Sequence, residues 1–132
     1  MKDMELPVTT VYAALLGILL ILLSDLVSRA RKKTRVSLGH GDEERLERVM
    51  RAQGNFVEYV PLGLILLGLL EAGGAGVVVL NVLGLMLLIG RLLHAYGMIN
   101  TQAAFSGRYW GTALTWLMIL GASLLNLWQL AR

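Results

Sequence analysis

Residues 51–63, RAQGNFVEYVPLG, begin like a soluble helix and run directly into the apolar stretch LILLGLL at 64–70. The first two turns carry Arg51, Asn55 and Glu58, although the segment as a whole is apolar enough to enter a membrane. In an α-helix these three residues are spaced i, i+4 and i+7 and therefore share one face. One stripe of the helix is polar, and we expect it to face something other than hydrocarbon.

The composition indicates a folded membrane protein. Of the 132 residues, 56% are hydrophobic, and most of the charge is concentrated between Arg29 and Arg51. The formal net charge of +3 could suggest a nucleic-acid partner. However, the basic cluster directly follows an apolar span and has no aromatic residues for base stacking. The cluster consists of Arg29, Arg31, Lys32, Lys33 and Arg35. We therefore interpret the cluster as a juxtamembrane loop and expect no nucleic-acid partner.

The chain contains no cysteine and two histidines that lie far apart. It therefore offers no disulfide, no thiolate nucleophile of its own and no recognisable metal-ligand set. Any thiol chemistry would have to use a bound thiol. Asp3 and Glu5 precede the first apolar stretch, and no cleavage site follows a short apolar core. We therefore expect the first apolar stretch to be retained and not removed as a signal peptide.

Four segments are long enough to cross a membrane, which takes about 20 apolar residues. Because every backbone polar group must be satisfied within lipid, these segments are predicted to be helices. The sequence thus predicts an all-α integral membrane protein, an up-down four-helix bundle in a single domain over residues 1–132. The predicted helices span residues 7–28, 43–70, 76–100 and 109–130.

The predicted loops differ in charge. The loops at 29–42 and 100–108 carry the basic residues, whereas the glycine-rich turn at 71–76 has only Glu71. Because positively charged loops stay on the cytoplasmic side, we expect the two basic loops in the cytoplasm and both termini outside.

Charged residues also occur deep inside the predicted spans. Glu58 lies in the second span, and Arg91 and His94 share one face of the third. Intramembrane charges normally face the bundle interior and pair with each other. A Glu58–Arg91 ion pair could fix the register of the helices or belong to a binding site, and the sequence is compatible with both roles.

The start of the second helix supplies more hydrogen-bond donors than one carboxylate can accept. This excess is typical of a site for an anionic ligand. The alternatives are that Arg48 and Gln53 are solvated residues of a helix end and that His94 is a core histidine. The donors are Arg48, Arg51, Gln53 and Asn55.

Three motifs resemble those of the superfamily of membrane-associated proteins in eicosanoid and glutathione metabolism (MAPEG). Residues 47–62, ERVMRAQGNFVEYVPL, are similar to its R-A-x-x-N-x-x-E-Y-x-P signature. Residues 28–37, SRARKKTRVS, are similar to the basic end of its first helix, and residues 90–97, GRLLHAYG, to its third-helix motif. The resemblance implies a small bacterial member in the cell membrane.

By this resemblance the protein is a homotrimer that binds glutathione between subunits, near the cytoplasmic side. Arg108 would stabilise the glutathione thiolate. Arg31 would reach the glutathione carboxylates, with Gln53, from the adjacent subunit. The remaining glutathione contacts would be Arg51, Asn55, Glu58, Tyr59 and His94. Gly54, Gly63 and Gly68 would let the second helices approach one another closely.

The implied function is a glutathione transferase or peroxidase acting on a lipophilic electrophile or hydroperoxide, which would enter from the bilayer between the first and fourth helices. Met98 stands where the eicosanoid-synthesising members have a tyrosine, which argues against eicosanoid synthesis. The alternative is a non-catalytic lipid-binding or scaffold protein of the same family. A proton or ion pathway is disfavoured, since the second span has no acidic, basic or histidine side chain between Glu58 and Glu71.

Overall fold

The computed structural model describes residues 6–100 and 104–132, and within these ranges the chain is helical with no strand. All four helices are long and apolar enough to cross a membrane. The predicted all-α, four-helix membrane fold is therefore confirmed. The helices are α1 (Pro7–Thr34), α2 (Glu44–Ala72), α3 (Val77–Ile99) and α4 (Ala104–Leu130).

The central pair of the bundle is α2 and α3. Both α1 and α4 pack against this pair, whereas α1 and α4 do not pack against each other in the described parts of the chain. Each helix contributes a fully buried side chain to one apolar core: Leu16, Leu67, Leu87 and Met118. The outer faces of α1 and α4 remain apolar and exposed, as expected for surfaces in contact with lipid.

Helices α3 and α4 approach each other closely through glycines. A Cβ atom at Gly111 would lie 2.5 Å from the backbone nitrogen of His94 and 2.6 Å from the carbonyl oxygen of Gly90. Gly97 and Gly107 form a second contact of the same kind. Small residues commonly permit such approach between membrane helices. This contact brings together the end of α3 and the start of α4, which carry candidate site residues.

Two predicted helix boundaries are wrong. Helix α1 continues to Thr34 instead of ending at residue 28, so most of the basic cluster is helical. Lys and Arg are good helix formers and are stabilised in the last turn by the helix dipole. Helix α4 begins at Ala104, so Arg108 lies within a helix and not in the predicted loop at 100–108, of which residues 101–103 are outside the described residues.

Glu71 joins the end of α2 to the start of α1. Its carboxylate accepts hydrogen bonds from the backbone N–H groups of Val8 (2.8 Å) and Thr9 (2.7 Å). The N-cap residue of α1, Leu6, provides no side-chain cap. Because the first N–H groups of a helix lack partners and the dipole favours a negative charge there, Glu71 supplies the missing cap from another helix.

We expect Glu71→Gln to lower the free energy of unfolding by about 1 kcal/mol, because a neutral amide binds the positive end of α1 less strongly. Thermal unfolding in detergent measures the change. Asp25→Asn is the control, because the ion pair of Asp25 with Arg29 is exposed and its loss should cost about 0.5 kcal/mol or less. Equal destabilisation by the two variants would contradict the capping role.

Candidate functional site

A cleft of about 600 Å³ lies at one end of the bundle, where α2 and α4 begin and α3 ends. It is open on one side, and its volume is within the range of about 300–1,000 Å³ that is typical of small-molecule sites. The lining residues come from α2, α3 and α4: Arg51, Asn55, Tyr59, His94, Met98, Arg108, Tyr109, Thr112, Ala113 and Trp116.

The charged groups of the cleft are all positive. Arg51 and Arg108 are exposed, and neither forms a hydrogen bond or ion pair with any described residue. No carboxylate is among the lining residues. The buried His94 imidazole is within electrostatic range of both guanidinium groups and of Arg91. Free guanidinium groups converging without a counterion make the cleft suitable for an anion.

Arg91 lies beneath the cleft and is 1% exposed. Its Nε donates to Thr115 Oγ1 (3.0 Å) and its Nη2 to the carbonyl oxygen of Gly111 (3.3 Å), both on α4. Its Nη1 donates to Asn55 Oδ1 at 2.6 Å, and the Tyr59 ring centre is 5.5 Å from the guanidinium carbon. Arg91 thus ties α2, α3 and α4 together under the cleft.

The predicted direct ion pair between Glu58 and Arg91 is not formed among the described residues. Asn55 lies between them: its Oδ1 accepts from Arg91, and its Nδ2 donates to Glu58 Oε2 at 3.4 Å. An amide can do both because it has an acceptor on one side and donors on the other. Arg91 therefore fixes the orientation of the Asn55 side chain in the cleft.

Three predicted glutathione contacts lie outside the lining: Gln53, Glu58 and Arg31. The Arg31 guanidinium donates to the carbonyl oxygens of Val36, Ser37 and Gly39 in the loop after α1. Within one chain, Arg31 therefore holds its own loop and is not directed into the cleft.

Arg48 is not the freely solvated residue of a helix end that was one alternative from the sequence. Its guanidinium donates to the carboxylate of Glu44 (2.9 Å) and to the carbonyl oxygen of Met98 (3.4 Å). Arg48 therefore links α2 to the end of α3 close to the cleft.

The contribution of α4 is larger than the sequence indicated. Tyr109, Thr112 and Trp116 line the cleft, and Thr115 holds Arg91. A signal was present, because Arg108, Thr112 and Thr115 have the same i, i+4, i+7 spacing as the polar stripe of α2.

Gly63 and Gly68 were predicted to bring the α2 helices of different subunits together. The space beside each of them already contains a side chain of the same subunit. A Cβ at Gly63 would lie 2.9 Å from the Leu87 side chain, and one at Gly68 would lie 3.6 Å from Thr9. Only Gly54, among these three, has open space beside it. A contact between α2 helices could therefore use Gly54 but not Gly63.

The chain is similar to known proteins over nearly its whole length. Residues 9–128 match the sequence model of the MAPEG family. Two proteins, each named Inner membrane protein YecN, from Escherichia coli K12 and from Escherichia coli O6:H1, are 37% identical over 123 residues. The alignments cover 93% of this chain and 92% of each relative. Those names state a location and no reaction.

Proposed function

Because the chain belongs to the MAPEG family, we propose that it is a membrane glutathione transferase or peroxidase. It is a multi-pass protein of the bacterial inner membrane, in a family associated with glutathione and eicosanoid metabolism. In the proposed orientation the cleft opens at the cytoplasmic end of the bundle, because loops rich in basic residues stay on the cytoplasmic side of the membrane.

The observation that supports this proposal best is the cationic cleft without a carboxylate. Glutathione carries two carboxylates and one ammonium group, so its net charge is negative. The guanidinium groups of Arg51 and Arg108 can each form paired hydrogen bonds with a carboxylate or interact with a thiolate. Glu58, held near the cleft by Asn55, could accept the ammonium group.

The proposed mechanism uses the sulfur of glutathione, since the chain has no cysteine. The thiol proton leaves to water, and Arg108 stabilises the resulting thiolate. In the transferase reaction a sulfur electron pair forms a C–S bond, and the displaced group departs with the electron pair of the bond that breaks. In the peroxidase reaction two glutathione molecules are oxidised to the disulfide while the hydroperoxide is reduced to an alcohol and water.

The lipophilic substrate would approach along α4. Tyr109 and Trp116 line the cleft and expose more than half of their surface. Because α1 and α4 do not pack together within the described chain, an entrance between a first and a fourth helix would be formed by two neighbouring subunits. We do not assign eicosanoid synthesis, because Met98 lines the cleft and has no hydroxyl group to donate.

The alternative is a non-catalytic lipid-binding protein. The apolar side of the cleft, formed by Met98, Ala113 and Trp116, favours it. The two proposals differ in the role of the cationic side, because lipid binding alone would not require glutathione. Binding of glutathione therefore separates them.

Glutathione at about 100 times its dissociation constant is expected to stabilise the detergent-purified protein by about 2.7 kcal/mol. Arg51→Ala should weaken binding by removing a carboxylate partner, whereas Lys32→Ala, an exposed cation outside the cleft, should not. Thermal unfolding with and without glutathione measures both. The same stabilisation by 2-mercaptoethanol, a thiol without carboxylates, or by glutathione in Arg51→Ala, would contradict the proposed site.

We expect a homotrimer, because the cleft is open on one side and Arg31 and Gln53 lie outside its lining, so their predicted contacts with glutathione would be made to the cleft of a neighbouring subunit. Mass measurement of the protein in detergent, by light scattering or native mass spectrometry, tests this. A stable monomer that still binds glutathione with unchanged affinity would show that no second subunit is needed.

A further inference from the structure

A second, smaller cleft of about 280 Å³ lies between the end of α1, the start of α2 and the end of α3. It shares no lining residue with the larger cleft. Its apolar part is formed by Leu26, Val49 and Ile99, and its polar part by basic side chains. We propose that this cleft binds the phosphate group of an anionic phospholipid of the cytoplasmic leaflet.

The basic residues of this cleft are Arg29, Lys33 and Arg45. Arg29 is paired with Asp25 at 2.7 Å. Lys33 and Arg45 are exposed and form no hydrogen bond or ion pair with any residue that the structure describes. No carboxylate lines the cleft. Two free cations thus remain for an anion, and phosphate is a good partner for both side chains.

The depth of the cleft in the membrane selects a lipid over a soluble anion. At a rise of about 1.5 Å per residue, Arg29 is about 33 Å along α1 from Pro7. The hydrocarbon layer is about 30 Å thick, so Arg29 lies at its edge and Lys33 lies one turn further, among the headgroups. Basic pockets between transmembrane helices on the cytoplasmic side commonly hold anionic headgroups.

An apolar track leads from the cleft into the hydrocarbon region. Ile18, Leu22 and Leu26 follow one another at i+4 spacing on α1, and Ile18 and Leu22 are 61% and 58% exposed. An acyl chain can lie along these side chains while the phosphate lies between Lys33 and Arg45. A free phosphate ion would use the basic residues but gain nothing from this track.

Native mass spectrometry of the full chain in mild detergent tests the proposal, with phosphatidylglycerol and phosphatidylcholine of identical acyl chains as probes. We expect preferential retention of phosphatidylglycerol, and a loss of about 25-fold in its affinity for the double variant Lys33→Gln/Arg45→Gln. The matched control is Lys32→Gln/Arg35→Gln, which removes the same charge from nearby exposed positions outside the cleft and should retain the preference.

Equal retention of the two lipids by the unaltered protein would overturn the proposal. Equal losses of phosphatidylglycerol affinity in the double variant and its control would also overturn it. Displacement of phosphatidylglycerol by inorganic phosphate at a similar concentration would show a soluble-anion site instead. If the double variant does not fold, Lys33→Gln alone should lower the affinity about fivefold. None of these measurements depends on glutathione, so they test the lipid site separately from the proposed function.

Discussion

Arg108→Ala is expected to keep glutathione binding but to lower turnover about 25-fold at pH 7. A free thiol with a pKa of about 8.5 is about 3% ionised at pH 7, whereas one whose pKa is lowered by about two units is about three-quarters ionised. The thiolate is the nucleophile, so removal of its cationic partner should lower the rate by about the ratio of these fractions. The free guanidinium of Arg108 in the cleft is the group placed for this role.

The kinetic pattern distinguishes this role from simple binding. Arg108→Ala should lower kcat with little change in the KM for glutathione, because Arg51 and Asn55 still hold the peptide. Arg108→Lys should retain part of the activity because it keeps the positive charge, and Arg132→Ala, beyond the other end of α4, should be fully active. Full turnover in Arg108→Ala would transfer the proposed role to another side chain, with Arg91 or His94 the next candidates.

Gly111→Ala is expected to be the most destabilising of the single substitutions considered, lowering the free energy of unfolding by about 3 kcal/mol or more. Its Cβ would lie 2.5 Å from the backbone nitrogen of His94 and 2.6 Å from the Gly90 oxygen. Backbone atoms cannot rotate away as a side chain can, so α4 would have to move from α3. The movement should also separate Arg108 from His94 and reduce glutathione binding.

Gly121→Ala, also in α4, is the matched control. Its Cβ would lie 3.8 Å from the Leu83 side chain, an ordinary contact. We expect no loss of stability there, and a gain of up to about 1 kcal/mol from the better helix propensity of alanine. Thermal unfolding in detergent compares the two variants. Similar unfolding temperatures for both would contradict the close α3–α4 contact.

The sequence was sufficient to predict the four membrane helices and the polar face of α2. Apolar length is a strong signal, and the i, i+4, i+7 spacing of Arg51, Asn55 and Glu58 shows a shared face without any tertiary information. It also placed Arg91 and His94 on one face of α3. These predictions concern one helix at a time, where periodicity is informative.

The remaining features depend on contacts between helices. Nothing in the local sequence states that Asn55 lies between Glu58 and Arg91, or that Thr115 and Gly111 hold the Arg91 guanidinium. The early start of α4 was missed for a similar reason. The sequence of residues 100–108 is typical of a polar loop, yet Gly107 packs against α3. Tertiary packing here overrides local propensity.

The ends of helices were also difficult to predict from charge alone. The basic residues from Arg29 to Lys33 mark the end of the hydrophobic span correctly, but they do not mark the end of the helix. A hydrated helix can continue beyond the hydrocarbon layer for as long as its residues favour helix. The end of α1 coincides instead with Arg35, whose φ of 57° ends the helical backbone.

The most direct test of the proposed function is a pH titration of the absorbance near 240 nm, roughly where thiolates absorb, for the unaltered protein with bound glutathione. If the cationic cleft binds and ionises glutathione, the bound thiol should titrate with an apparent pKa of about 6.5, about two units below that of a free thiol. A bound thiol that titrates at its free value, or glutathione that does not bind at all, would contradict the proposed activation of glutathione.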